Sequence, residues 1–173
     1  IIFKTNIFSV KDIKIHGNQI ISTKELLSQS GITIGNNIFK EKLSQIESNI
    51  QRHPYVKQVK VKRSLPNTIK INIVEKTEAA AIPFMGEYLI IDDQGIVLKA
   101  DTEHRALKII NGLKFENFVE GQALNVKDAA QFELILQVIK SIDKHEIPAV
   151  EIDIADKSNI IVKFSDLLKA EIG

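Results

Sequence analysis

Apolar and polar residues alternate almost strictly through VKVKRSLPNTIKINI, residues 59–73. Val59 and Val61 fall on one side and Lys60 and Lys62 on the other; beyond a Leu65–Asn67 turn, Ile69, Ile71 and Ile73 answer them while Lys70 and Asn72 face out. A period of two belongs to a strand with one buried face, so the stretch predicts a hairpin. Pro66 would fix φ in its turn, and Asn67 would tolerate a left-handed backbone. Upstream, Phe8 to Ile15 (FSVKDIKI) predicts another strand, with a change of parity between Val10 and Ile13 that a bulge would absorb, ended by the turn signal HGN. Ser22 and Glu25 have capping-box spacing, and Ile21 and Leu26 stand where a hydrophobic staple puts them. A short helix to Ser30, stopped by Gly31, follows. Phe39, Leu43, Ile46 and Ile50 recur at i, i+4, i+7 and i+11, one stripe of a second helix that Pro54 closes. The order is strand, helix, helix, strand, strand over residues 8–77.

The rest of the chain, 78–173, reads differently. The alternation lapses from Glu78 to Pro83 (EAAAIP) and restarts in EYLIIDDQGIVLKA as two strands about an Asp-Gln-Gly turn, with ALKIING as a third. Asn125 is a candidate cap for a helix whose buried stripe is Ala129, Phe132, Ile135, Leu136, Ile139 and Ile142, widened by Leu134 and Val138, with Pro148 beyond its end. AVEIDIADKSNIIVKFS alternates around Val150, Ile152 and Ile154, turns at DKSN and resumes at Ile160; Leu168 to Ile172 is a last strand. This is a second, mostly antiparallel α+β unit and no repeat of the first.

With 173 residues, 44% hydrophobic, the chain can bury a real core in one sizeable domain or two small ones. A formal charge of +1 points no global field at nucleic acid or an anionic membrane, so any electrostatic targeting must be local. The absence of Cys removes disulfides, thiol catalysis and Cys-based metal sites. The only Met is Met85, so a segment is expected upstream; no run is as long as a membrane span, and the opening IIF reads as the last turn of an anchor or as a strand. His16, His53, His104 and His145 have no metal-ligand spacing, and His53, before Pro54, suits the negative end of a helix dipole. Asp92, Asp93, Asp101 and Glu103 come nearest to a cation site, yet EF-hand spacing is missing and Asp-Asp-Gln-Gly is what a strand turn requires. Phosphate loop, nucleophile elbow and Ser-His-Asp order are all absent. The expectation is a protein without enzymatic activity, cofactor or metal.

FSVKDIKIHGN, a helix, GNNIFK, a second helix and HPYVKQVKVKRSLPNTIKINIVEK, in that order and at those distances, resemble a POTRA domain. A single such unit followed by one containing IIDDQGIVLKA and SNIIVKFSDLLKAEIG is similar to the FtsQ/DivIB cell-division family, over nearly the whole chain. The resemblance implies a membrane-proximal segment (1–7), a POTRA domain (8–77) and a β domain (78–173). It also implies a single-pass anchor upstream, an extracytoplasmic position at the division septum, and a helix and strand beyond the glycine matching Gly173. The implied partners are DivIC (the FtsB counterpart) and FtsL ectodomains and the septal peptidoglycan synthase complex.

Two stretches are candidate partner sites. The hairpin's outer edge suits strand addition, in which main-chain hydrogen bonds supply affinity. Gln58, Val61 and Arg63 match partner-facing family positions, and Lys60, Lys62 and Lys70 add charge, as does Lys76; alternatively the lysines only solvate a face and protect an edge. By resemblance the DivIC-binding edge lies in the C-terminal strands, with Leu168, Lys169, Ala170, Glu171 and Ile172 on it. Two rival readings are a POTRA chaperone module of an outer-membrane assembly or secretion pore, and an enzyme of cell-wall metabolism.

Overall fold

The computed structural model describes residues 6–104, 106–156, 159–165 and 168–172. Expectations for the opening IIF and the rest of 1–5, for Lys157 and Ser158 of the DKSN turn, and for Gly173 lie outside them. The chain forms two compact units, 1–76 and 77–173, each with its own sheet.

In the first unit, β1 (Asp12–His16) runs parallel to β3 (Thr68–Glu75), and β3 pairs antiparallel with β2 (Val56–Ser64), giving the order β1-β3-β2. The hairpin register sets Val59 opposite Ile73, Val61 opposite Ile71 and Lys62 opposite Lys70. Ile69, Ile71 and Ile73 are buried while Lys70 and Asn72 are exposed, as the alternation predicts. Helix α1 (Thr23–Ser30) is capped by the Ser22 hydroxyl, which accepts from the Glu25 amide at 3.2 Å, and it ends at Gly31 with φ 70°. The reciprocal half of the capping box is absent because the Glu25 carboxylate lies on His53 Nε2 at 3.1 Å. Helix α2 (Leu43–Gln51) buries Ile46 and Ile50.

Three local expectations are corrected. Phe39 lies before α2 and is exposed, its ring 5.4 Å from that of Phe8. The first strand begins only at Asp12: Asn6–Phe8 is a 3-10 turn, and the change of parity marks where Phe8, Ser9 and Val10 leave the sheet to bond the loop 35–38. The Leu65–Pro66 peptide is cis and Asn67 is not left-handed; its carbonyl accepts the Lys11 and Asp12 amides at 2.9 and 3.4 Å.

The second unit is a seven-stranded sheet, β10-β9-β8-β7-β4-β5-β6. Its strands are β4 (Ala80–Phe84), β5 (Glu87–Ile91), β6 (Val97–Asp101), β7 (Lys108–Asn111), β8 (Glu151–Asp156), β9 (Asn159–Lys163) and β10 (Lys169–Ile172). Among the described residues of this sheet, only the β4–β7 and β7–β8 pairs are parallel. The second of these requires a crossover, and α3 (Ala129–Lys144) provides it. β4 corrects the lapse expected at EAAAIP: Ala79 through Ile82 are all buried, so no alternation exists to be seen. Met85 and Gly86, both at positive φ, join β4 to β5 in a two-residue turn. Asp128, not Asn125, caps α3, accepting the Gln131 amide at 3.1 Å. Phe132, Ile135, Ile139 and Ile142 form its buried stripe; Ala129 and Leu134 are exposed, and so is Val150, which precedes β8.

Candidate partner-binding edges

An open sheet has two edges, and each presents main-chain donors and acceptors unless something covers them. At β6 the chain covers its own edge. Val97 donates to the Gln122 carbonyl at 2.9 Å, Gly121 donates to the Val97 carbonyl at 2.7 Å, and the Ala100 amide reaches the Glu120 carboxylate at 3.3 Å.

At the other end of the same sheet, β10 pairs among the described residues only with β9, Lys169 opposite Lys163, Ala170 opposite Val162, Glu171 opposite Ile161 and Ile172 opposite Ile160. The Phe164 amide donates to the Leu168 carbonyl at 2.9 Å, whereas the Lys163 carbonyl faces β8 and accepts from Val150 at 2.9 Å. Main-chain direction alternates along an antiparallel ladder, so the N–H and C=O groups of Lys169 and Glu171 point outward, away from β9. Among the described residues nothing pairs with them. Leu168, Lys169 and Glu171 are exposed.

Beside this edge lies an apolar hollow of about 200 Å³ lined by Val138, Ile142, Ile147, Val162, Phe164 and Ala170. Ala170 and Val162 are cross-strand partners, so a residue added opposite Ala170 would face the same hollow. The other face carries charge: Glu151, Lys163 and Lys169 stand in one row across β8, β9 and β10. Lys163 Nζ is 2.7 Å from Glu151, whose carboxylate also accepts from Asn111 at 2.7 Å. That hydrogen bond raises the Lys163 pKa above the usual 10.5; desolvation opposes it, and the charges of Glu151 and Asp153 add to it. Lys169 stands opposite Lys163, a like charge, and forms an ion pair with Glu171 at 3.6 Å on its own strand.

The hairpin edge of the first unit differs. The Val61 amide donates to the Glu47 carboxylate of α2 at 2.7 Å, and Gln51 Nε2 donates to the Val56 carbonyl at 3.2 Å. Arg63 turns its guanidinium onto the carbonyls of Ile38 and Glu41 at 2.8 and 2.6 Å. Val61 itself is buried, while Gln58, Lys60, Lys62 and Lys70 are exposed. Both edge contacts escaped the sequence reading. Glu47 and Gln51 look like solvated positions beside the Ile46 and Ile50 stripe, and only the packing of α2 beside β2 gives them a role.

The remaining polar candidates have local duties. Asp92 accepts the Gln94 and Ile96 amides at 2.9 and 2.8 Å, closing the β5–β6 turn, and Asp101 accepts the Glu103 amide at 3.2 Å. The Tyr55 amide donates to His53 Nδ1 at 3.2 Å, which leaves the proton on Nε2 facing Glu25. His145 Nδ1 is 2.8 Å from the Ser141 carbonyl.

A family profile described as "POTRA domain, FtsQ-type" matches residues 8–76. The chain is 29% identical over 163 residues to "Cell division protein DivIB" of Clostridium acetobutylicum, covering 92% of this chain and 65% of the relative. Residues 8–76 thus match the FtsQ-type POTRA family, and most of the chain is similar to a division protein named DivIB. A DivIB of Clostridium tetani is 28% identical over 95% of this chain and 64% of its own length. "Cell division protein FtsQ" of Syntrophotalea carbinolica is 26% identical over 91% and 55%. The chain thus spans just under two thirds of the length of the first two FtsQ/DivIB relatives. No helix among the described residues is long and apolar enough to cross a membrane.

Proposed function

We propose that this chain is the extracytoplasmic part of a non-enzymatic scaffold of the bacterial division machinery, which takes up a strand of its partner on the open edge of β10. The outward main chain of Lys169 and Glu171, unpaired among the described residues at the end of a seven-stranded sheet, carries this reading. Strand addition there gains main-chain hydrogen bonds without disturbing the ladder behind it. Selectivity comes from the two faces. A residue opposite Ala170 enters the apolar hollow, and an acidic residue opposite Lys169 relieves the like-charge pair with Lys163. The partner of this reading is the DivIC (FtsB-type) ectodomain with FtsL, and the outcome is recruitment or regulation of septal peptidoglycan synthesis from an anchor upstream of residues 1–7.

The hairpin residues Gln58, Lys60, Val61, Lys62, Arg63 and Lys70 form a second candidate contact. Strand addition on β2 must first displace Glu47 from the Val61 amide, so the exposed lysine side chains are its more accessible feature. The outer-membrane chaperone reading is not favoured, because the matching POTRA profile is of the FtsQ type and the relatives are division proteins.

Calorimetric titration of the chain with a soluble DivIC–FtsL ectodomain pair tests the reading. Saturable binding that Lys169→Pro weakens by at least about tenfold is expected, because proline deletes an outward donor on an edge strand. Silence, or binding indifferent to that change, contradicts it.

A further inference from the structure

Exposed apolar side chains are ordinary when scattered and informative when gathered. In the first unit five of them gather at one end, while Ile20 and Val74 are exposed elsewhere. Ile7, Ile34, Phe39 and Leu65 are each more than half exposed, and Phe8 somewhat less. They come from three segments that the main chain ties together. Ile38 donates to the Phe8 carbonyl, Val10 to that of Asn36 and Gly35 to that of Val10, each at 2.8 Å; Lys11 donates to the Asn67 carbonyl of the hairpin turn at 2.9 Å. Arg63 closes the ring through the carbonyls of Ile38 and Glu41. The Phe8 and Phe39 rings pack on each other rather than into the core.

Cations stand close to these residues along the chain. Lys11, Lys40, Lys42 and Lys62 are exposed at the same end. The nearby acids are partly engaged, Glu41 by the Asn36 amide group at 3.0 Å and Asp12 by Lys14 at 4.0 Å. Exposed apolar side chains interspersed with lysines match the boundary between headgroups and acyl chains in an anionic bilayer.

We propose that the end of the first unit bearing Ile7, Phe8, Ile34, Phe39 and Leu65 lies against an anionic lipid surface, with Lys11, Lys40, Lys42 and Lys62 on the headgroups. This goes beyond the strand-edge reading and does not depend on it. Its consequence is orientation: a first unit seated on the bilayer holds its sheet at a fixed attitude to the membrane.

The chain contains no Trp, so Phe39→Trp supplies a single indole reporter. Val74→Trp, on exposed β3 surface six residues beyond Thr68 and about 20 Å along the strand, is the reference in the same unit. Each variant, with an amino-terminal histidine tag, is held on vesicles of phosphatidylglycerol and brominated phosphatidylcholine containing a nickel-chelating lipid. The expected result is bromine quenching and a blue shift for Phe39→Trp, emission like that of the free protein for Val74→Trp, and loss of quenching with Lys40→Glu plus Lys42→Glu or in high salt. Ile34→Trp serves as the reporter if thermal melting shows Phe39→Trp to be misfolded. Equal quenching at both positions, or none at the patch, overturns the proposal. So does a dimer in sedimentation velocity that Phe39→Asp dissolves, which would make the patch a contact between copies.

Discussion

β2 and β10 both end a sheet, yet their outer edges are finished differently. On β2, Glu47 already holds the Val61 amide and Arg63 is spent on the loop carbonyls of Ile38 and Glu41. On β10, Lys169 and Glu171 turn outward main chain that is unpaired among the described residues, beside an apolar hollow. The difference lies in what packs alongside: α2 lies next to β2 and supplies a carboxylate at the right height, whereas the β10 edge receives no side chain from the described residues. An exposed strand is therefore a candidate docking edge only once its outward amides have been followed to their partners.

The comparison can be broken first at its foundation, the register of β3 behind β2. Ile71 is fully buried, so Ile71→Ala is expected to lower unfolding stability by about 2 to 5 kcal/mol, against less than about 0.5 for its exposed neighbour Lys70→Ala. Equal losses in denaturant titrations would put β3 in another register and remove the basis for assigning the Val61 amide to the edge. Next in size is the β2 staple. Glu47→Ala removes a charged acceptor from a main-chain amide and should cost about 1 to 3 kcal/mol. Hydrogen exchange at Val61 should quicken with it; an unchanged rate would mean that the β2 edge is as open as that of β10.

Lys169→Pro is the converse test. With its amide outward, the substitution should change stability by less than about 1 kcal/mol, and a larger loss would show that residue 169 donates to β9 after all. The smallest effect belongs to the row behind it. The folded-state pKa of Lys163 is raised, chiefly by its hydrogen bond to Glu151, so its contribution is fully present below the ordinary lysine value and fades as pH rises through the folded one. A Lys163→Met variant should therefore converge on the parent stability in strongly alkaline buffer. A gap that persists there would assign the effect to packing rather than to the ion pair.

The hairpin was legible because one face of β2 and β3 is buried and the other wet, so Ile69, Ile71 and Ile73 alternate visibly with Lys70 and Asn72. β4 was illegible for the opposite reason: Ala79 to Ile82 are consecutively buried, which erases the period, and Pro83 argues against a strand. The cap of α3 was misplaced because Asn125 and Asp128 are both good cap residues, and only the geometry at Gln131 decides between them. Phe39 continued the spacing of the α2 stripe by coincidence, lying on the preceding loop against Phe8. The candidate edges were readable as strands; their partners were not. Whether Glu47 reaches the Val61 amide, or the 120–123 segment covers β6, depends on tertiary approach and leaves no local pattern.

Amide hydrogen exchange of the chain, free and bound to the DivIC–FtsL ectodomain pair, tests the central claim most directly. Strand addition at β10 predicts new protection at the amides of Lys169 and Glu171, with the hairpin amides from Gln58 to Arg63 unchanged. Protection confined to the hairpin, with Lys169 and Glu171 exchanging as in the free chain, would contradict it.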